Sequence, residues 1–166
     1  MPLRFQKLFC LHKLEYIKGK NSESRCVLCL LAKNDADGVN LSVSEGRTAV
    51  VCVNKFPYNS GHLLIFPKRH ITDYRELTGD EEDEISGFLK ISLGVLDALY
   101  CPSGYNIGYN IGEFSGASVS HLHMHVIPRH RNELGFIDIV GGAKIVIEDP
   151  TDTMNKLRVE FRKHSR

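Results

Sequence analysis

The sequence contains no tryptophan and only three methionines, and its charges nearly cancel. Its 21 Lys and Arg residues against 20 Asp and Glu residues give a formal net charge of +1 over 166 residues. A chain with so little net charge lacks the positive electrostatic potential that attracts nucleic acid, and it has no polybasic segment to anchor it to a membrane. No apolar run approaches the roughly 20 residues of a membrane-spanning helix. We therefore expect one compact domain that binds neither nucleic acid nor membranes.

Cysteine usage and the first 20 residues indicate a reducing, cytoplasmic compartment. Basic residues interrupt the apolar residues of this N-terminal stretch, so we expect no secretory signal. The chain has five cysteines, an odd number, and Cys26 and Cys29 form a C-x-x-C pair. This pattern disfavours a disulfide scaffold and favours a metal site, although the pair alone is only half of a tetrahedral site. Two small buried residues at a helix start would give the same spacing.

The apolar pattern predicts strands on both sides of one long helix. Thr78 and Glu81 form a capping box that opens the helix, and residues 101–104 (Cys-Pro-Ser-Gly) end it after about five turns. Its apolar or small positions at helical spacing are Ile85, Phe88, Leu89, Ser92, Leu96 and Leu99. The predicted strands are residues 41–45, 48–54, 63–66, 105–112, 119–128 and 144–148. This order is typical of an α+β domain with a mainly antiparallel sheet. We expect a single domain over residues 1–166, with its core at about 24–150, an N-terminal extension over 1–23 and a C-terminal tail over 150–166.

Three histidines alternate with apolar residues within residues 118–128, which read SVSHLHMHVIP. On a strand, His121, His123 and His125 would share one face and line a surface, while the residues between them enter the core. Three interpretations remain open: three surface histidines with no catalytic role, a metal-hydrolase site built on H-x-H, and nucleophilic catalysis by a histidine. The second lacks a carboxylate partner downstream. The third requires a neutral imidazole whose Nδ1–H is held by a carbonyl, which leaves Nε2 to attack phosphorus.

The motif HLHMHVI resembles the H-φ-H-φ-H-φ-φ motif of the histidine triad (HIT) family. Residues 54–70 resemble its N-x-x-P-x-x-x-G-H-x-x-φ-x-P-x-R/K-H stretch, although Asn-x-x-Pro is also an ordinary turn signal. Residues 105–118 are similar to its G-x-N-x-G loop, and the resemblance covers about residues 8–150. Residues 8–17, 135–136 and 144–146 point to the fragile-histidine-triad and diadenosine tetraphosphate phosphorylase-like branch.

The resemblance implies a histidine triad fold: a five-stranded antiparallel sheet, one long helix and short flanking helices, paired as a homodimer. It implies cleavage of dinucleoside polyphosphates, such as diadenosine tri- or tetraphosphate, through a nucleotidyl-histidine intermediate without an organic cofactor. His123 takes the place of the nucleophile and His125 contacts the phosphate and assists the leaving group. The main chain of His121 orients the nucleophile, and His62 supports the triad. Alternatives are a regulatory nucleotide-binding protein with weak turnover and a nucleoside phosphoramidate hydrolase.

The same resemblance assigns the remaining site residues. Asn54 occupies a ribose-binding position, and Asn110 and Ser118 occupy phosphate-contacting positions. The turn at Gly116 and Ala117 offers main-chain N–H groups to an anion. Many family hydrolases carry Gln at the position of Ala117, so this departure favours phosphorolysis slightly over hydrolysis. Relatives complete the cysteine pair with two histidines, which here gives a structural zinc site of Cys26, Cys29, His70 and His121.

Overall fold

The structure is a computed structural model that describes residues 26–35, 40–131, 133, 146 and 148–164. Within these ranges the regular elements are three helices, five strands and one 3-10 turn. The helices are α1 (Val27–Ala32), α2 (Gly79–Tyr100) and α3 (Pro150–His164), and the 3-10 turn is Tyr74–Glu76. The strands are β1 (Ser42–Glu45), β2 (Ala49–Val53), β3 (Leu63–Pro67), β4 (Gly104–Tyr109) and β5 (Met124–Arg129).

The strands form one five-stranded antiparallel sheet with the order β1-β2-β3-β5-β4. β5 therefore lies between β3 and β4, where His125 pairs with Leu64 on one side and Gly108 on the other. The fold class expected from the sequence is confirmed. His125, the last histidine of the triad, therefore lies on an interior strand of the sheet.

Each face of the sheet buries its own apolar cluster because strand side chains alternate. Val51, Ile65 and Val126 belong to the cluster formed with α2 and α3. Val50 and Phe66 belong to a second, smaller cluster with residues of α1. β2 and β3 are buried along their whole length, which is the burial expected of central strands covered on both faces.

Helix α2 begins where the capping box predicts. The Thr78 side chain accepts from the Glu81 N–H, and the Glu81 side chain accepts from the Thr78 N–H. Most of the positions named at helical spacing are buried, while Leu99, near the end of the helix, is 37% exposed. In this last turn it is Tyr100, not Leu99, that packs against the core.

Several element boundaries differ from the sequence prediction. The strand predicted over 105–112 ends at Tyr109, and the strand predicted over 119–128 begins only at Met124. Of the strand predicted over 144–148, Val146 and Glu148 are described and lie outside any strand; the rest falls outside the described residues. The segment expected to be a tail contains helix α3, which the sequence analysis did not predict. Its apolar side chains Met154, Leu157 and Phe161 are buried in the main core.

The N-terminal extension over 1–23 and residues 134–145 lie outside the described residues, so the likenesses at 8–17 and 135–136 stay predictions. Within the part of the chain that the structure describes, no helix is both long and apolar enough to cross a membrane.

Candidate active site and metal centre

The triad histidines lie where the chain enters β5, on the sheet face that α1 covers. The predicted alternation is correct, because Leu122, Met124 and Val126 are all buried. The predicted exposure is wrong: His121 and His123 are buried and His125 is half-buried, instead of lining an open surface. For His121 the reason is its contact with Cys26, just before α1, and with Cys29, within α1.

A main-chain carbonyl fixes the ring of His123. Nδ1 of His123 lies 2.7 Å from the carbonyl oxygen of His121. A carbonyl oxygen only accepts, so Nδ1 carries the proton and Nε2 carries the lone pair. Burial lowers the pKa of His123, although its hydrogen bond to His121 opposes the shift. In this tautomer the neutral ring presents the lone pair of Nε2.

His62 and His125 form a hydrogen-bonded pair next to His123. Nε2 of His62 lies 2.9 Å from Nδ1 of His125, and the ring centroids of His123 and His125 are 4.8 Å apart. Burial, and then the proximity of His125 and His123, lowers the pKa of His62 to about 3. His62 is thus an uncharged link in the site.

Two groups on the turn between β2 and β3 hold His62. The main-chain N–H of Tyr58 donates to Nδ1 of His62 at 3.1 Å, and Nδ2 of Asn54 lies 3.3 Å from the same nitrogen. The Tyr58 ring packs 5.0 Å from the His62 ring and is half exposed. The sequence analysis missed Tyr58, since a main-chain donor leaves no mark on the residue pattern. Asn54 was predicted to bind ribose; that role stays a prediction, while its amide already contacts His62.

The remaining predicted substrate residues lie on the loop that joins β4 to the triad. Gly112 and Gly116 adopt positive φ angles of 90° and 88°, which favour glycine. Asn110, Ala117 and Ser118 are half-buried, and Gly116 is exposed. The loop joins the ends of two neighbouring strands, one of which carries His125, so it borders the site. Its contacts with phosphate stay predictions.

Cys26, Cys29, His70 and His121 come together as one cluster. Their ligand atoms all lie within 4.8 Å of one another, and both cysteines and His121 are buried. Sγ of Cys29 is 3.2 Å from Nδ1 of His70 and 3.4 Å from Nδ1 of His121. Metal–sulfur and metal–nitrogen bonds of zinc length place tetrahedral ligands about 3.5 Å apart. The four donors therefore fit a tetrahedral metal ion.

The ring of His121 is oriented for metal binding from its other side. Its Nε2 donates to the carbonyl oxygen of Pro67 at 2.8 Å, so its Nδ1 presents the lone pair to the cysteines. The ring of Phe66 packs against the same ring in a T-shaped arrangement. His121 thus belongs to the metal cluster through its ring and to the candidate active site through its carbonyl.

Comparison with known proteins identifies the family. The model described as the HIT domain matches residues 36–132, which include all three triad histidines, His62 and His70. The chain belongs to the HIT domain family.

Individual relatives agree with that assignment. AP-4-A phosphorylase from Mycobacterium tuberculosis is 35% identical over 127 residues, which are 76% of this chain and 65% of that protein. The chain thus spans just under two thirds of that relative. An adenosine 5'-monophosphoramidase from Schizosaccharomyces pombe is 29% identical over 110 residues, 66% of this chain and 78% of that protein. The crystal structure of a Zn-bound histidine triad family protein from Mycobacterium smegmatis has the same fold, with a TM-score of 0.70 and 21% identity over 87% of this chain and 98% of that one.

Proposed function

We propose that this chain is a nucleotidyl transferase or hydrolase that cleaves diadenosine tri- or tetraphosphate through a nucleotidyl-histidine intermediate on His123. The observation that carries the proposal is the 2.7 Å contact between Nδ1 of His123 and the carbonyl of His121, which leaves Nε2 as the nucleophile. The similarity to a protein named AP-4-A phosphorylase supports the substrate class.

The first step transfers the nucleotidyl group to the enzyme. Nε2 of His123 forms a bond to the α-phosphorus, and the bond from that phosphorus to the bridging oxygen breaks. The leaving polyphosphate keeps the electron pair and receives a proton from His125. We assign Asn54 to the ribose, and Asn110 and Ser118 to the phosphate oxygens.

The second step divides hydrolysis from phosphorolysis. An oxygen of water or inorganic phosphate attacks phosphorus, the N–P bond breaks, and the electron pair returns to Nε2 of His123. Water needs a side chain to orient it, and Ala117 supplies none. Phosphate can be held by main-chain N–H groups at Gly116 and Ala117, which favours the phosphorylase reaction.

Product analysis with and without inorganic phosphate tests this proposal. With diadenosine tetraphosphate, phosphorolysis releases ATP in the first step and ADP in the second. Hydrolysis releases ATP and AMP. ADP that appears only when phosphate is present supports the phosphorylase; AMP under both conditions assigns a hydrolase. If neither diadenosine triphosphate nor diadenosine tetraphosphate yields any product, the proposal is contradicted.

Phosphoramidate hydrolysis is the second candidate, favoured by the similarity to a monophosphoramidase. It shares the first step, but the bond that breaks joins phosphorus to nitrogen. Comparing kcat/KM for adenosine 5'-monophosphoramidate and diadenosine tetraphosphate separates the two. A nucleotide-binding regulatory protein would bind both and turn over neither.

We further propose that the cluster of Cys26, Cys29, His70 and His121 holds structural zinc. Two thiolates and two imidazoles are the donor set that zinc prefers, and four protein ligands leave no position for water. When bound, zinc would supply a fixed cross-link between α1 and the segment before β5. Such a site needs reduced thiols, which supports a cytoplasmic location.

A homodimer is the assembly we propose. β4 is an edge strand of the sheet, and the exposed apolar side chains Ile107 and Ile111 lie on it and just beyond it. Burial of this edge against a second copy would cover both. Light scattering after size exclusion measures the mass; a monomer at micromolar concentration contradicts this assignment.

A further inference from the structure

The segment that carries His123 lies just before the sheet and not within it. The ladder between β3 and β5 and the ladder between β4 and β5 both begin at Met124 of β5. Residues 121–123 therefore take no part in either ladder. Contacts other than strand pairing must hold the candidate nucleophile in place.

Hydrogen bonds join this segment to the stretch that follows β3. Nε2 of His121 donates to the carbonyl oxygen of Pro67 at 2.8 Å. The main-chain N–H of Leu122 donates to the carbonyl oxygen of Ile71 at 2.7 Å. Because Nδ1 of His123 donates in turn to the carbonyl of His121, the place of the His123 ring depends on how these two preceding residues are held.

The metal cluster lies beside the bond between Leu122 and Ile71. Each of these two residues directly follows a histidine of the cluster, because His121 precedes Leu122 and His70 precedes Ile71. Nδ1 of His70 and Nδ1 of His121 lie 3.2 Å and 3.4 Å from the same sulfur, Sγ of Cys29. A metal ion held by both rings would fix the two stretches of chain relative to each other.

Helix α1, which supplies Cys29, is too short to keep its place unaided. It has six residues, whereas isolated helices shorter than about 12–15 residues are marginal in water. Its buried side chains Leu28 and Cys29 pack in the smaller apolar cluster, while α2 and α3 form the main core on the other face of the sheet. Loss of metal should therefore loosen α1 and residues 121–123 and leave the main core packed.

We propose that metal bound at the cluster orders residues 121–123, so that metal binding and nucleotide binding strengthen each other through His121. This inference deepens the proposed function and rests on it. In the metal-free chain, a nucleotide has to order the segment as it binds, which lowers its affinity. In the loaded chain the segment is already ordered. Because such coupling is reciprocal, nucleotide should raise the affinity for zinc by the factor by which zinc raises the affinity for nucleotide.

Amide hydrogen exchange of the full chain, with zinc and after chelation, tests the ordering. We expect chelation to remove the protection of the Leu122 amide, because its bond to Ile71 is released. The amide of Val51, in β2 and in the main core, should remain protected. Unchanged exchange at Leu122 overturns the inference. An equal loss of protection at Val51 also overturns it, because the metal would then act on the whole fold and not on the segment.

The substitution His70→Ala separates the metal from the ring of His121. It removes a ligand that lies outside residues 121–123 and leaves every side chain of that segment in place. We expect the exchange pattern of the chelated wild type even when zinc is present. His164→Ala, at the end of α3, is the matched control and should behave as the wild type does. A His70→Ala protein that binds no zinc and still protects Leu122 overturns the inference.

The two affinities supply the second readout. AMP serves as the probe of the nucleotide site, and competition with a chromophoric chelator measures the affinity for zinc. We expect AMP to bind the zinc-loaded chain about 5- to 150-fold more tightly than the chelated chain, the usual range for coupled sites, and to raise the affinity for zinc by the same factor. Equal AMP affinities with and without zinc overturn the coupling and leave the proposed function intact.

Failure of the proposed function gives a different result. The zinc-loaded wild type would then protect the Leu122 amide but bind no AMP. In that case the coupling falls together with the proposed function, while the dependence of residues 121–123 on metal, which exchange measures without any nucleotide, stands.

Discussion

The carbonyl oxygen of His121 accepts a hydrogen bond from Nδ1 of His123 at 2.7 Å, and the ring of the same His121 lies against Cys26 and Cys29. One residue therefore orients the candidate nucleophile with its main chain and completes the metal cluster with its side chain. Movement of the ring of His121 would turn the carbonyl that holds His123. The metal cluster and the candidate active site therefore share one residue.

Replacing His123 with alanine should abolish turnover and preserve the fold. The ring supplies the attacking nitrogen, so its loss should reduce kcat/KM by several orders of magnitude. Circular dichroism and the melting temperature check the fold. His164→Ala, at the exposed end of α3, is the matched control and should retain full activity. A folded His123→Ala protein with wild-type activity contradicts the mechanism.

Removing metal should destabilise the protein. A ligand present at about 1,000 times its dissociation constant stabilises by about 4 kcal/mol, which corresponds to roughly 10 °C in melting temperature at this chain length. Chelation, or Cys29→Ser, should produce a loss of that order, and elemental analysis should find about one zinc per chain. Cys101→Ser is the control, since Cys101 is an exposed free cysteine. Protein purified without chelator, with reduced cysteines and no metal, rules out the site.

Restoring a glutamine at position 117 should shift the choice of acceptor. If the absence of that side chain suppresses attack by water, Ala117→Gln should raise the ratio of AMP to ADP released at a fixed phosphate concentration. Quenched-flow analysis of the intermediate controls for the first step. Ala117→Ser, which adds a shorter polar group, should change the ratio less. An unchanged ratio in a variant that still forms the intermediate shows that Ala117 is not decisive.

Glu84 should make stability depend on acid pH. Its carboxylate accepts from the main-chain N–H groups of Arg47, Thr48 and Ala49 and thereby joins α2 to the turn between β1 and β2. Burial alone would raise the pKa of Glu84, but the hydrogen bonds led by those of Thr48 outweigh it and hold the pKa below the ordinary value of 4.5. The ionised form therefore stabilises the fold above pH 4.5, and that stability is lost as pH falls through the lower folded pKa.

Glu84→Gln should accordingly lower the free energy of unfolding at neutral pH by about 1–3 kcal/mol, because it weakens several hydrogen bonds to a charged acceptor. Urea denaturation at pH 7 and below pH 4 measures the difference, which should shrink at the lower pH. Asp83→Asn, a neighbouring exposed carboxylate, should change stability little at either pH. Equal losses at both pH values contradict the assignment.

Local patterns were sufficient to predict much of the fold. The Thr78 capping box marks the start of α2, and the alternation from His121 to Val126 separates core from site, because both signals depend on neighbours along the chain. The signal for α3 was also present, in the spacing of Met154, Leu157 and Phe161, but it follows a segment of mixed composition and was interpreted as a tail.

The burial of the triad could not be derived from its own residues. It depends on the cysteines at α1, which contact His121. Cys26 and His121 touch although they are 95 residues apart in the sequence. The link from Tyr58 to His62 is equally hidden, since any residue except proline supplies a main-chain N–H. The residue pattern indicates the candidate side chains, while long-range packing and main-chain donors determine their protonation and exposure.

The distance along the chain between Cys26 and His121 also bears on how the protein folds. An ion shared by these ligands closes a loop of about 95 residues that encloses four complete strands and helix α2. Contacts between residues so far apart in the sequence are slow to form, because the entropy of closing the long loop opposes them. The cluster would therefore bind its ion late in folding and would then stabilise a chain that is already largely folded.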